Sequence, residues 1–429
     1  MRIVSITAGA AGMFCGSCLH DNAIAAALHA LGHDALLVPT YTPIRTDEPD
    51  VSHRRVFLGG LNVYLNYKSA LFRRLPRFVH RLLDRPTLLR ALSRFTATPD
   101  YAALGEITLT MLRGEDGRQR EEVERLAGWL AADVKPEIVT LSNVLLSGIA
   151  PALKHRLDVP VLAYLQGDDI FLDALRPEHR RQAVELIQLN ARHIDGYVAT
   201  CEYYADYMAD YLGLPRAAVE VILPGINLTG HGGAHELRTE PPYTVGYFAR
   251  IAPAKGLHVL ADAYIRLRQM PGVPPCRLRA SGWLGAEHKP YLEKVRRTLA
   301  DAGLAGEFEY ADSPDHAAKV RFLRSLDVMS VPAPYREPKG LYVLEALANG
   351  VPVVQPSHGS FPELLNATGG GLLVTPDDPA DLARGLHRLL ADPALRLELG
   401  RKGREAVHEH FSAAGEARRT VEIFRRYAS

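Results

Sequence analysis

The sequence predicts an α/β chain built from two doubly wound parallel domains, and three observations carry that expectation. Its 429 residues exceed what one ordinary hydrophobic core organises and suit two. Residues 2 to 38 read as strand, small-residue loop, helix and strand, the opening module of a doubly wound sheet. The same alternation restarts at Tyr243, after a Gly- and Pro-rich stretch that holds little apolar content.

Taken in order, Arg2 to Thr7 is a short apolar strand and Ala8 to Cys18 a small-residue loop. Gly9, Gly12 and Gly16 interrupt the opening apolar run, so it is read as a strand entering a turn rather than a secretory leader. Leu19 to Leu31 is expected to be helical, because Ile24, Leu28 and Leu31 share one stripe and Gly32 follows as a stop. Ala35 to Val38 is the next strand. Residues 66–98 differ from their surroundings: Lys68, Arg73, Arg74, Arg77, Arg81, Arg85, Arg90 and Arg94 stand against a single Asp84, with apolar residues between them. Pro76 and Pro86 cut this run into short helices. Two roles are open for it: a helical insertion with its arginines toward water, or peripheral contact of residues 68–94 with an anionic membrane. Glu121 to Ala132 follows as an amphipathic helix, Glu137 to Leu141 and Val159 to Tyr164 as strands, Arg180 to Arg192 as a helix and Gly196 to Thr200 as a strand. Val219 to Leu223 closes a first domain over 1–223. Residues 224–242 form the linker, 243–408 the second domain, and 409–429 a tail whose helix carries Ala417, Val421, Phe424 and Tyr427 on one side.

Composition narrows the function. With 50 basic and 49 acidic residues the chain as a whole is no nucleic-acid binder. No stretch approaches the roughly 20 apolar residues of a membrane span. Four cysteines, at 15, 18, 201 and 276, are too few and too scattered for a disulfide scaffold, so a cytoplasmic location is expected. Cys15-Gly16-Ser17-Cys18, with His20 beyond, invites zinc or redox chemistry, but no second cysteine pair follows at a suitable spacing. Packing as small apolar residues is the expectation for both cysteines.

The chemistry concentrates in the second half. Glu337 and Glu345 lie in one run, Arg336-Glu337-Pro338-Lys339-Gly340-Leu341-Tyr342-Val343-Leu344-Glu345-Ala346. The strand-like segment Asp327 to Val331 and a proline-rich turn precede it, which puts Glu337 in a loop beside a helix N-terminus and Glu345 on the helix itself. Backbone N–H groups at such a terminus bind phosphate. A second βα loop leaves the strand Val245 to Ala249 and carries Arg250 and Lys255 before Gly256. A guanidinium and an ammonium so placed can converge on a diphosphate. Two acids accepting from hydroxyl groups on either side of a diphosphate match a nucleotide-sugar. The plainer alternatives are a helix cap for Glu337, a salt bridge from Glu345 to Lys339, and a solvated surface pair for Arg250 and Lys255.

On these residues the chain resembles a retaining glycosyltransferase of the GT-B type, with two Rossmann-like domains facing across a cleft, in the large family 4. The Glu-x7-Glu run matches Glu337 and Glu345, and the Arg-x4-Lys-Gly element matches Arg250, Lys255 and Gly256. The following strand and turn match Asn349 to Val354 and Gly359-Ser360-Phe361-Pro362-Glu363. The resemblance spans almost the whole chain and is strongest from 243 to 380. It implies a donor-binding second domain, an acceptor-binding first domain, and a tail that crosses back to the first. Glu337, Arg250 and Lys255 take catalytic roles; Glu345, Gly340, Leu341 and Gly282 bind the donor; Gly16, His20, Gln166 and Asp169 bind the acceptor.

The implied donor is a nucleoside diphosphate sugar, used as a substrate with no cofactor and no metal. The acceptor is a saccharide, a lipid-linked group or a small molecule. Cytoplasmic residence, with possible peripheral attachment at the inner face of the membrane, goes with this picture. Three departures stand out. Cys15 replaces the first Gly of a Gly-Gly pair, Lys339 replaces an aromatic or aliphatic residue, and Gln166 replaces the His of a His-Gly-x-Asp element. Gln cannot shuttle a proton, so where the family His contributes to catalysis another group, or the donor phosphate, would serve as base. Asp168-Asp169 lacks the nearby third ligand that a hard cation wants. A sugar-nucleotide epimerase, a glycosyl phosphorylase and a non-catalytic nucleotide-sugar-binding protein remain as alternatives on the same fold.

Overall fold

In a computed structural model of the chain, residues 1–9, 16–53, 56–57, 101–232, 238–313 and 315–428 are described, the first three of the helix at 101 by backbone alone. The basic segment 66–98 and Cys15 lie outside the described residues. The chain divides into two compact units, Met1–Leu223 with Glu416–Ser429, and Pro224–Gly415.

The first unit is a six-stranded parallel sheet. Its strands are β1 (Arg2–Thr7), β2 (Asp34–Pro39), β3 (Ile138–Leu141), β4 (Val161–Leu165), β5 (Gly196–Ala199) and β6 (Val219–Val221), in the order β2-β1-β3-β4-β5-β6. β3 and β5 are buried along their whole length, as strands covered on both faces must be. Helix α1 (Gly16–Ala30) begins three residues before the expected start at Leu19, because the apolar stripe marks the buried face and not the first turn. Next come α2 (Tyr101–Leu112), α3 (Arg120–Trp129), α4 (Ala150–Arg156) and the short α5 (Asp168–Asp173). α6 (Pro177–Asn190) starts at a proline, whose fixed φ and missing N–H suit a first turn. α7 (Glu202–Leu212) follows β5.

The second unit repeats the plan with β7 (Tyr243–Phe248), α8 (Leu257–Gln269), β8 (Cys276–Ser281), α9 (Lys289–Asp301), β9 (Phe308–Ala311), α10 (His316–Arg324) and β10 (Val328–Met329). It continues with α11 (Leu341–Ala348), β11 (Val353–Pro356), α12 (Phe361–Thr368), β12 (Gly371–Val374), α13 (Pro379–Ala391) and α14 (Pro393–His410). The strand order is β12-β11-β10-β7-β8-β9, again all parallel. β10 is short, and the Asp327 carboxylate ties its start to β7 by accepting the Thr244 N–H at 2.7 Å. The closing helix α15 (Ala413–Ala428) buries Ala417, Val421 and Phe424. Its Tyr427 lies against Gly196, where an added Cβ would stand 2.3 Å from the phenol oxygen.

Each sheet reverses its winding at one point: between β1 and β3 in the first unit, and between β7 and β10 in the second. Open α/β sheets bind ligands outside the carboxyl ends of the strands at such a point. Among the described residues no helix is long and apolar enough to cross a membrane.

Candidate active site

In the second unit the loops leaving β7 and β10 are pressed together by glycines. Gly256 has φ +74°, and an added Cβ would stand 1.9 Å from the Pro332 carbonyl oxygen, so only glycine lets the β7 loop lie on the chain beyond β10. That contact delivers Lys255 to Glu337. Gly282, at the end of β8, plays the same part toward β7, since its Cβ would meet the Ala249 carbonyl oxygen at 2.0 Å. It thereby lies beside the residue that precedes Arg250.

Glu337 is 5% exposed and crowded with donors. Lys255 Nζ stands 2.5 Å from Oε2, the Tyr335 hydroxyl 2.7 Å and the Tyr342 hydroxyl 3.2 Å. The Lys339 and Gly340 N–H groups reach Oε1 at 3.4 and 3.5 Å. The Lys255 ammonium also bonds the Tyr335 hydroxyl and stands 4.8 Å from the centre of the Tyr335 ring and 5.2 Å from that of Tyr342. Burial alone would raise the carboxyl pKa; the charge of Lys255, hydrogen bonds from Lys255 and Tyr335, and the charge of Lys339 outweigh it and hold the group at about 2. Lys339 is itself buried and does not point to solvent.

Gly340 caps α11 in the left-handed region, and Leu341 is the first residue of the helix. From the other side the turn after β11 supports Glu337, with the Ser360 N–H donating to the Glu337 carbonyl at 2.8 Å. Buried polar atoms here that make no hydrogen bond among the described residues include Arg250 Nε, Ser360 Oγ and both ring nitrogens of His358. Buried polar groups are normally satisfied, so orphans beside a helix N-terminus and a lysine fit a place for an anion. Glu345 lies one turn further along α11, and its partner is Lys319 on α10, at 2.7 Å, rather than Lys339.

The first unit gathers a second set. Gly16 is exposed at the start of α1. Gln166, at the end of β4, donates through Nε2 to the Ser142 carbonyl and lies 3.4 Å from Asp21 Oδ1, while Asp21 Oδ2 accepts from Thr7 at 2.9 Å. These residues mark the β1/β3 reversal. His20 and Asp169 are both engaged by other side chains of this unit. His20 is 3% exposed and points not to an open surface but to Glu416 of α15, with Nε2 at 2.8 and 3.0 Å from the two carboxylate oxygens. Asp169 is buried, and its Oδ1 accepts the Tyr204 hydroxyl at 2.5 Å, so it orders the turn at Gly167. Neighbouring Asp168 accepts the Val144 and Gln166 N–H groups, each at 2.9 Å, and burial pushes its carboxyl up to about 6 against those bonds. Cys18, Cys201 and Cys276 are buried and form no disulfide among the described residues.

Sequence reasoning missed Tyr335, Tyr342, Lys319 and Ser360. The only signal for the two tyrosines is their position, two residues before and five after Glu337.

Family profiles match both halves. Residues 234–406 match "Glycosyl transferases group 1", and residues 22–225 match "Glycosyl transferase 4-like domain". The chain belongs to the family 4-type glycosyltransferases. This family member is 31% identical over 247 residues to a D-inositol 3-phosphate glycosyltransferase of Streptomyces bingchenggensis, a match covering 54% of this chain and 52% of the relative. A lipopolysaccharide core biosynthesis mannosyltransferase of Rhizobium leguminosarum bv. viciae is 27% identical, over 58% of this chain and 68% of its own. The chain spans just over half the length of the curated relatives it first matches, at 52%, 57% and 56%. Among solved structures, sucrose-phosphate synthase from Thermosynechococcus elongatus superposes with a TM-score of 0.72 at 20% identity, covering 99% of each chain. Anabaena HepE in complex with UDP and glucose gives 0.68 at 16%, covering 99% of this chain and 100% of the other. These likenesses establish the GT-B fold of this family 4-type chain.

Proposed function

We propose that the chain transfers a glycosyl group from a nucleoside diphosphate sugar to an acceptor hydroxyl, with retention of configuration and without a metal. The observation that carries this is the buried Lys255–Glu337 pair at the β7/β10 reversal, beside the N-terminus of α11 and the unpartnered Arg250 Nε. Arg250, Lys255 and the N–H groups opening α11 hold the diphosphate. Glu337 accepts from hydroxyls of the donor sugar, and Glu345 from the ribose. The acceptor oxygen bonds to the anomeric carbon as its bond to the diphosphate oxygen breaks, and the electron pair departs with the diphosphate. Positive charge fixed around the leaving group acts where negative charge develops. The acceptor proton passes to an oxygen of the departing phosphate, because Gln166 has no basic group to receive it. Gly16 and Gln166, at the reversal of the first sheet, belong to the acceptor side.

A thermal-shift panel of nucleotide-sugars, followed by product analysis with the best binder, tests the reading. A ligand-induced shift abolished by Glu345→Ala, and a glycoside with the donor's anomeric configuration, are expected. An epimerised donor, a dependence on free phosphate, or binding without turnover would each overturn it. A shift unchanged in Glu345→Ala would remove that residue from the site.

A further inference from the structure

Glu345 does not stand alone on α11. Lys319, on the neighbouring α10, places its ammonium 2.7 Å from Glu345 Oε1, and the two side chains are 6% and 16% exposed. The second carboxylate oxygen makes no hydrogen bond among the described residues. The backbone at Glu345 is held as well: Asn349 Nδ2 donates to its carbonyl at 2.8 Å and lies 2.7 Å from Nδ1 of buried His231. The result is a carboxylate with one oxygen occupied and its rotamer set, leaving the other oxygen for a ligand.

We propose that Lys319 is a positioning residue that aims Glu345 at the ribose of the nucleotide, so that the chain's preference for ribose over 2′-deoxyribose depends on a lysine that does not touch the ligand. This rests on the proposed donor site and extends it to a residue on another helix. A glutamate free to rotate would lose side-chain freedom on binding, whereas a pinned one has already lost it. Advance immobilisation of one such side chain is worth about two- to tenfold in affinity. A ligand lacking the hydroxyl leaves the aimed oxygen unpaired, so the benefit goes to ribose alone. Lys319 is also nearly inaccessible, so its charge serves a protein partner rather than bulk water.

The test measures binding of UDP, GDP and ADP and their 2′-deoxy forms to wild type, Lys319→Met, Lys319→Arg and the charge-neutral double variant Lys319→Met/Glu345→Gln. The double variant leaves no lone buried charge and keeps the test open if Lys319→Met does not fold. Wild type should prefer the ribo form of its nucleotide by roughly tenfold or more. Lys319→Met should bind the ribo form about two- to tenfold more weakly and lose that factor from the preference, the double variant should lose at least as much, deoxy affinity should change less than about twofold in both, and Lys319→Arg should keep most of the preference. Turnover at saturating donor should change little in Lys319→Met. Equal losses for ribo and deoxy ligands, or an unaltered preference, would overturn the assignment of Lys319. Failure of wild type to bind any of the six nucleotides would instead sink the donor reading on which it rests.

Discussion

Lys255 Nζ and the Glu337 carboxylate stand 2.5 Å apart, although 82 positions separate them in sequence. The pair is the seam between the β7 and β10 loops, and with side chains only 15% and 7% exposed it answers to the energetics of buried charge. Removing one member leaves the other buried and uncompensated, at a cost of about 3–5 kcal/mol. Lys255→Ala is therefore expected to lower stability by that order in urea titration, and to cut turnover about a hundredfold or more through loss of charge beside the leaving group. A variant as stable as wild type would show that the pair is not held in solution.

The same carboxyl makes a pH prediction. Its folded pKa of about 2 lies below the 4.5 of an unperturbed glutamate, so the ionised form is favoured by folding. That contribution is complete above about pH 4.5 and is lost as pH falls toward 2; it amounts to about 3 kcal/mol. Asp168 works in the opposite sense. Folding raises it from 3.8 to about 6, so its contribution is complete below about pH 4 and is lost as pH rises through 6. Glu337→Gln should flatten the acid limb of the stability profile, and Asp168→Asn the decline between pH 4 and 6. Asp168→Asn should also cost about 1–3 kcal/mol at pH 4, because an amide cannot accept both N–H bonds. Unfolding free energies at pH 3, 4, 5 and 7 check both; parallel wild-type and variant curves would refute the assignments.

The meeting of Lys255, Glu337 and Gly340 was legible because each is a polar or glycine position in a loop that leaves an apolar strand, where a parallel sheet puts its ligands. The tyrosines around Glu337 were not, since a tyrosine near a strand is ordinary core material until its hydroxyl's partner is known. Lys319 was hidden for a related reason: on an amphipathic helix a lysine reads as a solvated residue. The partner of His20 was not legible, because a histidine following a small-residue loop reads as lying in an open position. Its neighbour Glu416 comes from 396 residues away, a pairing that no local pattern announces.

That pair makes a prediction of its own. Both side chains are within 2% of full burial, and His20 Nδ1 makes no hydrogen bond among the described residues. Glu416→Ala would leave the ring with neither nitrogen satisfied, at about 1–3 kcal/mol. The loss should concentrate in α15, giving faster tryptic cleavage at Arg418 and Arg419 than in wild type. Glu416→Gln, which keeps a carbonyl oxygen for the ring, should recover part of it. Cleavage spread over the whole chain in Glu416→Ala would mean that the pair stabilises the unit globally rather than the tail.

Gly256 and Gly272 provide a paired test of what presses the loops after β7 and β10 together. Their backbones are alike, at φ +74° and +73°, so alanine carries a similar left-handed penalty of about 1–2 kcal/mol at either position. The surroundings differ. An added Cβ at Gly272 meets nothing within 4 Å, whereas at Gly256 it stands 1.9 Å from the Pro332 carbonyl oxygen, a backbone atom that cannot turn aside. Gly256→Ala must therefore force the β7 loop off the chain after β10, adding about 1–3 kcal/mol of overpacking and separating Lys255 from Glu337. Gly272→Ala should lose only the backbone term and keep full nucleotide affinity, while Gly256→Ala should lose more stability and bind nucleotide more than about tenfold less tightly. Equal stabilities and equal affinities in the two variants would show that the contact at Pro332 does not hold the site together.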